Sequence, residues 1–247
     1  VGKLTYEVPA ELKDFAATFD AISYRHSDYG TVFGDFLGYI TGGFLVDGDP
    51  LLAAELQRKY GDDYGKFNEL VVHLIKAYGV MVKDDNSWYD GLGIFYEIIA
   101  SRYKSSALGQ FFTPPCVVDL MSKLINPIER ETVNDPCCGS GRLILAAKVV
   151  NPKLWAYAAD VDPICAKMTA VNMAIHGCNG EVACMNTLTM DWRFGYVVNP
   201  YLGLPGINPF PHLRPVHCWE ESRFYVKAPE LKAAAELKLE TGQLALF

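Results

Sequence analysis

Asp135, Gly139, Gly141 and Asp160 are the residues of this chain whose types and spacing first suggest chemistry. Asp135-Pro136-Cys137-Cys138-Gly139-Ser140-Gly141 reads as a tight loop between a short strand and a helix. Gly139 and Gly141 lack a Cβ, so the backbone there can turn at positive φ and lie against a ligand. Asp135, at the strand end, offers an acceptor to a ligand's ammonium group. Asp160 ends the next strand, where an acid can accept hydrogen bonds from both hydroxyls of a ribose lying across the sheet's carboxyl edge. A dinucleotide site would want another glycine at position 144, and Ile144 stands there, which argues against a nicotinamide cofactor. The loop is therefore a candidate cradle for a nucleotide-like ligand, a purely structural glycine turn being the alternative.

The elements that must position these residues follow from periodicity. Residues 1–108 read as helices: Leu12, Phe15, Phe19 and Ile22 recur at three and four residues, as do Phe33, Phe36, Leu37 and Ile40, each set making one apolar face. Asp49-Pro50 has the form of a cap followed by a first-turn proline, and Tyr89 to Tyr103 is a further helix. From about residue 109 strand and helix alternate, the pattern of a parallel sheet with helices on its faces. Thr113 is placed to cap a helix with the apolar face Val117, Val118, Leu120, Met121, Leu124 and Ile125. Residues 131–134, 154–159, 182–185 and 194–198 are the expected strands, and Asp162 caps a helix that stops at Gly177. The prolines of residues 199–216 predict a loop, and the tail from Pro229 is a helix candidate.

Composition narrows the class. Half of the 247 residues are hydrophobic and 21% charged, ordinary for a globular chain. No apolar run has the length of a membrane span, and a cytoplasmic location is expected. The seven cysteines show no paired Cys-x-x-Cys spacing, so neither a disulfide framework nor a metal site is indicated. The formal charge of −7 means that any encounter with DNA needs a local basic patch or a partner.

Three segments together carry a family resemblance: Leu108-Gly109-Gln110-Phe111-Phe112-Thr113-Pro114, Asp135 to Gly141, and Ala159-Asp160-Val161-Asp162-Pro163. They resemble successive motifs of adenine-specific DNA methyltransferases, class I enzymes dependent on S-adenosylmethionine (SAM), in particular the modification subunits of restriction systems. The resemblance implies an α/β fold: an N-terminal helical region (1–108), a doubly wound, mostly parallel methyltransferase-like sheet (109–228) cut short at its C-terminal end, and a helical tail (229–247). It implies SAM as cofactor and assigns Thr113, Asp135, Cys137, Gly139, Gly141, Asp160 and Asn186 to its binding. Asn186 stands where the family has an Asp that receives the adenine amino group of SAM; an amide oxygen still accepts that bond but carries no charge.

The family's catalytic motif, Asn-Pro-Pro-aromatic after the fourth strand, is matched by Asn199-Pro200-Tyr201, one proline short. In that chemistry the Asn side chain and a neighbouring carbonyl draw the exocyclic amine of adenine into a reactive geometry, and the aromatic ring stacks on the flipped base. A ring displaced by about an ångström can cost about a hundredfold in rate. Gln243-Leu244-Ala245-Leu246-Phe247 resembles the peptide by which bacterial replication and repair proteins dock on the DNA polymerase sliding clamp. The expected function is methylation of adenine in DNA, of the restriction-modification or mobile-element type. The alternative is a catalytically impaired SAM-binding or DNA-machinery interaction module.

Overall fold

The computed structural model describes residues 4–103, 112–128, 131–202 and 211–224. Among the described residues the first region holds five α-helices: α1 (Lys13–His26), α2 (Tyr29–Phe44), α3 (Pro50–Tyr60), α4 (Lys66–Met81) and α5 (Gly91–Tyr103). Their start signals are chemical. Asp28 accepts a hydrogen bond from the Thr31 N–H, and Asp49 accepts one from Leu52 ahead of Pro50, which satisfies donors that a helix N-terminus leaves open. The two periodic stripes expected in α1 and α2 are both buried, and they meet α5 in an aromatic core where Phe15 and Phe95 pack edge to face at 4.8 Å.

The second region runs α6 (Pro115–Ile125), β1 (Thr132–Asp135), α7 (Arg142–Val150), β2 (Trp155–Asp160), α8 (Pro163–Ile175), β3 (Asn179–Asn186), β4 (Asp191–Val198) and β5 (Leu213–Val216). The sheet order is β1-β2-β3-β4-β5, with β1, β2 and β3 parallel and β4 and β5 antiparallel to their neighbours. Both crossover helices lie on one face of it: Ile144 and Leu145 of α7 and Ala166, Ala170 and Met173 of α8 pack on Ala156, Ala158, Val182 and Cys184. The opposite face, around Ala159, Ala183 and Met185, is covered by Trp219 and Phe224. A Cβ at Gly180 would overlap the carbonyl oxygen of Ala156, so β3 packs against β2 only because that side chain is missing.

Helix α8 joins the two regions. Cys165, Met168 and Val171 enter the aromatic core of the first five helices, while its other face lies on the sheet. A mostly apolar helix fits burial on both sides, and its buried polar residues Thr169 and Asn172 are hydrogen-bonded.

Three local expectations need correction. Thr113 does not cap α6; Pro114 holds the N-cap position, with no side-chain bond, and the helix opens at Pro115. The apolar stripe of α6 faces outward at Val117, Leu120, Leu124 and Ile125, and Val118 alone of the expected face is fully buried. Within the expected loop 199–216, residues 213–216 form an edge strand, where Pro215 is tolerated because an edge strand need not donate on its outer side. Among the described residues no helix is long and apolar enough to cross a membrane. The tail helix and Gln243–Phe247 lie outside the described residues, as does the Leu108–Phe111 part of the first motif.

Candidate functional site

Three parallel strands bring their carboxyl ends to one edge, and with them Asp135, Asp160 and Asn186, the last residues of β1, β2 and β3. The glycine loop rises between β1 and α7. Gly139 has φ +56° and Gly141 φ +90°, conformations that a Cβ disfavours. A side chain at Gly139 would also strike the ring of Phe112, and one at Gly141 would crowd Thr169. Asp160 holds the loop from the next strand: one carboxylate oxygen accepts the Gly139 N–H at 2.9 Å and the other accepts the Asp162 N–H at 2.9 Å. An ionised carboxylate has about four acceptor positions, so these bonds leave capacity for ligand hydroxyls. Asp135 accepts the Cys137 N–H at 3.2 Å. Thr169 closes the far side by donating its hydroxyl to the Gly139 carbonyl at 2.9 Å.

The cleft at this edge is lined by Phe112, Thr113, Asp135, Cys137, Gly139 and Arg142 among others, and its volume is about 70 Å3. That is far below the roughly 300 Å3 of a small-molecule pocket, because the Phe112 ring lies directly on Gly139. Thr113 contributes its carbonyl oxygen, which accepts from Arg142 Nη1 at 3.2 Å. Cys137 is exposed at the rim and Cys138 is buried behind it. Asn186 spends its side-chain oxygen on the turn that follows, accepting from Leu188 and Thr189.

Electrostatically the cleft is acidic. Burial raises the Asp135 carboxyl above its ordinary value of 3.8, with the neighbouring Asp160 charge adding to the effect. Asp160 is raised mainly by burial as well, against the backbone bonds that lower it. Among the described residues no Lys, Arg or His pairs with either acid, so a cation in this cleft would relieve both. The sign follows. A carboxyl raised in the folded state makes the empty protein more stable as pH falls through its raised value, since the charged form is the costly one there. Cation binding requires the charged form. Binding of a cationic nucleoside is therefore expected to weaken at a higher pH than an ordinary carboxylate of 3.8 would dictate, and thermal shift against pH, with and without ligand, measures it.

The cleft also rests on residues that sequence reading passed over. Asp90 precedes α5, is buried, and its two oxygens take the Ser140 hydroxyl at 2.6 Å, Arg142 Nε at 2.6 Å, the Asn172 amide at 2.8 Å and the Gly93 N–H at 2.8 Å. Arg142 continues to Glu97 at 2.8 Å and lies 5.2 Å from the centre of the Phe112 ring. The available signal was the pair Asp90 and Glu97, one acid just ahead of α5 and one seven residues on within its apolar stretch, which calls for a cation opposite.

Asn199, Pro200 and Tyr201 are not brought to this edge. They follow β4, whose antiparallel register sets Val198 beside Gly180, near the start of β3. Asn186 is six residues further along β3, about 20 Å at about 3.3 Å per residue. The cause is the link Thr187–Met190, long enough for a hairpin and too short for the crossover that a parallel fourth strand requires. Here Asn199 is a buried bracket with φ +48°: its amide donates to the carbonyls of Ala174 at 3.1 Å and Cys178 at 2.9 Å, and its oxygen accepts from His212. Tyr201 stacks on His212 with ring centres 5.0 Å apart.

Residues 87–199 match the model of the N-6 DNA methylase family. Those residues, somewhat less than half of the chain, are similar to that family. The match begins just before Asp90 and ends on Asn199, so it spans the Asp90 network and the whole cleft. Curated relatives include the methylase subunits of two type I restriction enzymes. MjaIX from Methanocaldococcus jannaschii is 27% identical over 126 residues, 45% of this chain and 22% of the relative. HindI from Haemophilus influenzae is 34% identical over 98 residues, 36% of this chain and 22% of the relative. The chain thus spans about a fifth of the length of these relatives. Among solved structures, a modification subunit of a putative type I restriction enzyme from Vibrio vulnificus is 20% identical, at TM-score 0.30 over 47% of this chain and 25% of that one. A putative class I SAM-dependent methyltransferase from Listeria monocytogenes is 12% identical, at TM-score 0.40 over 69% and 51%.

Proposed function

We propose that the carboxyl edge of β1 to β3 binds S-adenosylmethionine and that the chain serves SAM-dependent methylation of the exocyclic amine of adenine in DNA, within a restriction-modification system. The observation that carries the reading is the pair of acids, Asp135 buried and Asp160 partly buried, that pair with no Lys, Arg or His among the described residues and flank a positive-φ glycine loop at the start of α7. Asp160 takes the ribose hydroxyls, Asp135 faces the positive methionine end, and Gly139 and Gly141 let the backbone approach. Cys137 and Thr113 line the cleft, and Asn186 remains the candidate for the adenine amino group once its turn contacts are exchanged. Bound SAM would supply the methyl group. Seating the whole cofactor requires the Phe112 ring to swing from Gly139.

A second reading has its own observation. The Asn199 side chain is fully committed to Ala174, Cys178 and His212, beside a strand position about 20 Å from Asn186 along β3. In this arrangement the chain is a SAM-binding module that does not transfer methyl through its own Asn199, Pro200 and Tyr201. Transfer of labelled methyl from SAM to unmethylated DNA separates the two: transfer supports the enzyme, SAM binding without transfer supports the module, and neither binding nor transfer ends both.

DNA contact, with a chain of net charge −7, is assigned to a partner or a separate recognition element. A cytoplasmic setting belongs to the same reading. Docking of Gln243–Phe247 on a sliding clamp is a separate proposal that rests on the peptide pattern alone; unchanged clamp binding after its deletion would end it.

A further inference from the structure

Within the glycine loop the turn is held by the Gly141 N–H on the Cys138 carbonyl at 2.8 Å and by the Asp135 side chain on the Cys137 N–H, while Gly141, the N-cap residue of α7, offers no side chain to the helix. Further bonds to the loop come from elsewhere in the chain. Ser140, at the crest of the loop, gives its hydroxyl to Asp90, and its carbonyl accepts from the same Asn172 amide nitrogen that donates to Asp90. Arg142, the first residue of α7, gives Nε to Asp90, Nη2 to Glu97 and Nη1 to the Thr113 carbonyl. Asn172 is held in turn by the Tyr78 hydroxyl from α4, and that hydroxyl also receives the Leu92 N–H. One buried carboxylate therefore grips the loop crest, the helix after it and the helix that backs it. A Cβ at Gly93 would collide with that carboxylate, so the start of α5 is shaped to admit it.

We propose that Asp90 is a positioning residue for the cofactor site: through Ser140 and Arg142 it sets the conformation of the loop and the placement of Phe112 and Thr113 above it, which makes the N-terminal helical region part of the ligand site. The coupling follows from geometry. Arg142 touches Asp90 ahead of α5, Glu97 within it and the Thr113 segment, and the Phe112 N–H reaches Glu97 at 3.3 Å, so a shift of α5 is transmitted to both walls of the cleft. The role rests on the reading of this cleft as the SAM site, and its test separates the two claims.

Asp90→Asn keeps the volume and two acceptor positions but removes the charge that Arg142 needs; Ser140→Ala removes the crest contact alone. A variant in the helical core remote from the loop, Phe67→Leu, serves as control for a matched fall in thermal midpoint. Two quantities are read: SAM dissociation constant by calorimetric titration, and hydrogen exchange of the Gly139, Ser140 and Gly141 amides in ligand-free protein. The expected result is a loss of affinity of at least about tenfold in Asp90→Asn, with a smaller loss in Ser140→Ala. Loop exchange becomes at least about tenfold faster in Asp90→Asn, while Val182 in β3 and both quantities in Phe67→Leu stay at wild-type values. Equal behaviour of Asp90→Asn and Phe67→Leu, or wild-type loop exchange in Asp90→Asn, overturns the proposal. If the unaltered protein binds no SAM, the cofactor reading falls while the exchange comparison still decides what Asp90 does.

Discussion

Asp160→Ala is expected to reduce SAM affinity by about a hundredfold or more, equivalent to about 2.7 kcal/mol, while leaving the fold intact. Two losses combine. The acceptor proposed for the ribose disappears, and so do the two backbone bonds that the carboxylate makes to Gly139 and Asp162 at 2.9 Å each. Hydrogen bonds to a charged group contribute about 1.5 to 3 kcal/mol, more than neutral ones. The loop would still be gripped at Ser140 and Arg142, so the effect falls on binding more than on stability. Asp160→Asn keeps one oxygen for Gly139 and is expected to lie between wild type and Ala. Equilibrium dialysis with labelled SAM reads all three; equal affinities would remove Asp160 from the site.

Asn199→Ala is expected to destabilise the fold by about 3 to 4 kcal/mol, which for a chain of this size lowers the thermal midpoint by about 10 °C. The side chain bonds two carbonyls and one amide in a buried setting, and each orphaned group costs about 1 kcal/mol or more. The backbone at φ +48° adds to this, because Asn tolerates the left-handed region and Ala does not. Against a total stability of about 5 to 15 kcal/mol the loss is large. It follows that absence of methyl transfer in Asn199→Ala would not by itself identify a catalytic residue. Thermal unfolding of the variant decides the matter: an unchanged midpoint would mean that Asn199 is free for chemistry and the bracket is not needed.

These expectations mark where sequence reading ends. Local signals were legible: the stripes of α1 and α2, the caps at Asp49 and Asp162, and the glycine loop all depend on neighbours within a few residues. The acids at the strand ends were legible because strand ends and glycine turns have short signatures. Direction was not. Phe194 to Val198 reads as a strand whichever way it runs, and only the length of the Thr187–Met190 link forces it antiparallel, which carries Asn199 away from Asp160. Sidedness failed in α6 for a similar reason: periodicity finds an apolar stripe but not what faces it, and here Ser122 faces inward while Leu120 and Leu124 face out. The Asp90 network was invisible because its members are joined only in space, Asp90 and Arg142 being 52 residues apart in the chain.

The central claim is that the cleft between Asp135, the glycine loop and Asp160 binds a cationic nucleoside, and thermal unfolding of the whole chain with increasing SAM tests it most directly. Saturation to about a hundred times the dissociation constant adds about 2.7 kcal/mol to stability, so the account predicts a midpoint that rises by several degrees, by less as the pH falls toward the carboxylate range, and by about 1 °C or less in Asp160→Ala. A midpoint that stays constant up to millimolar SAM at neutral pH would contradict it.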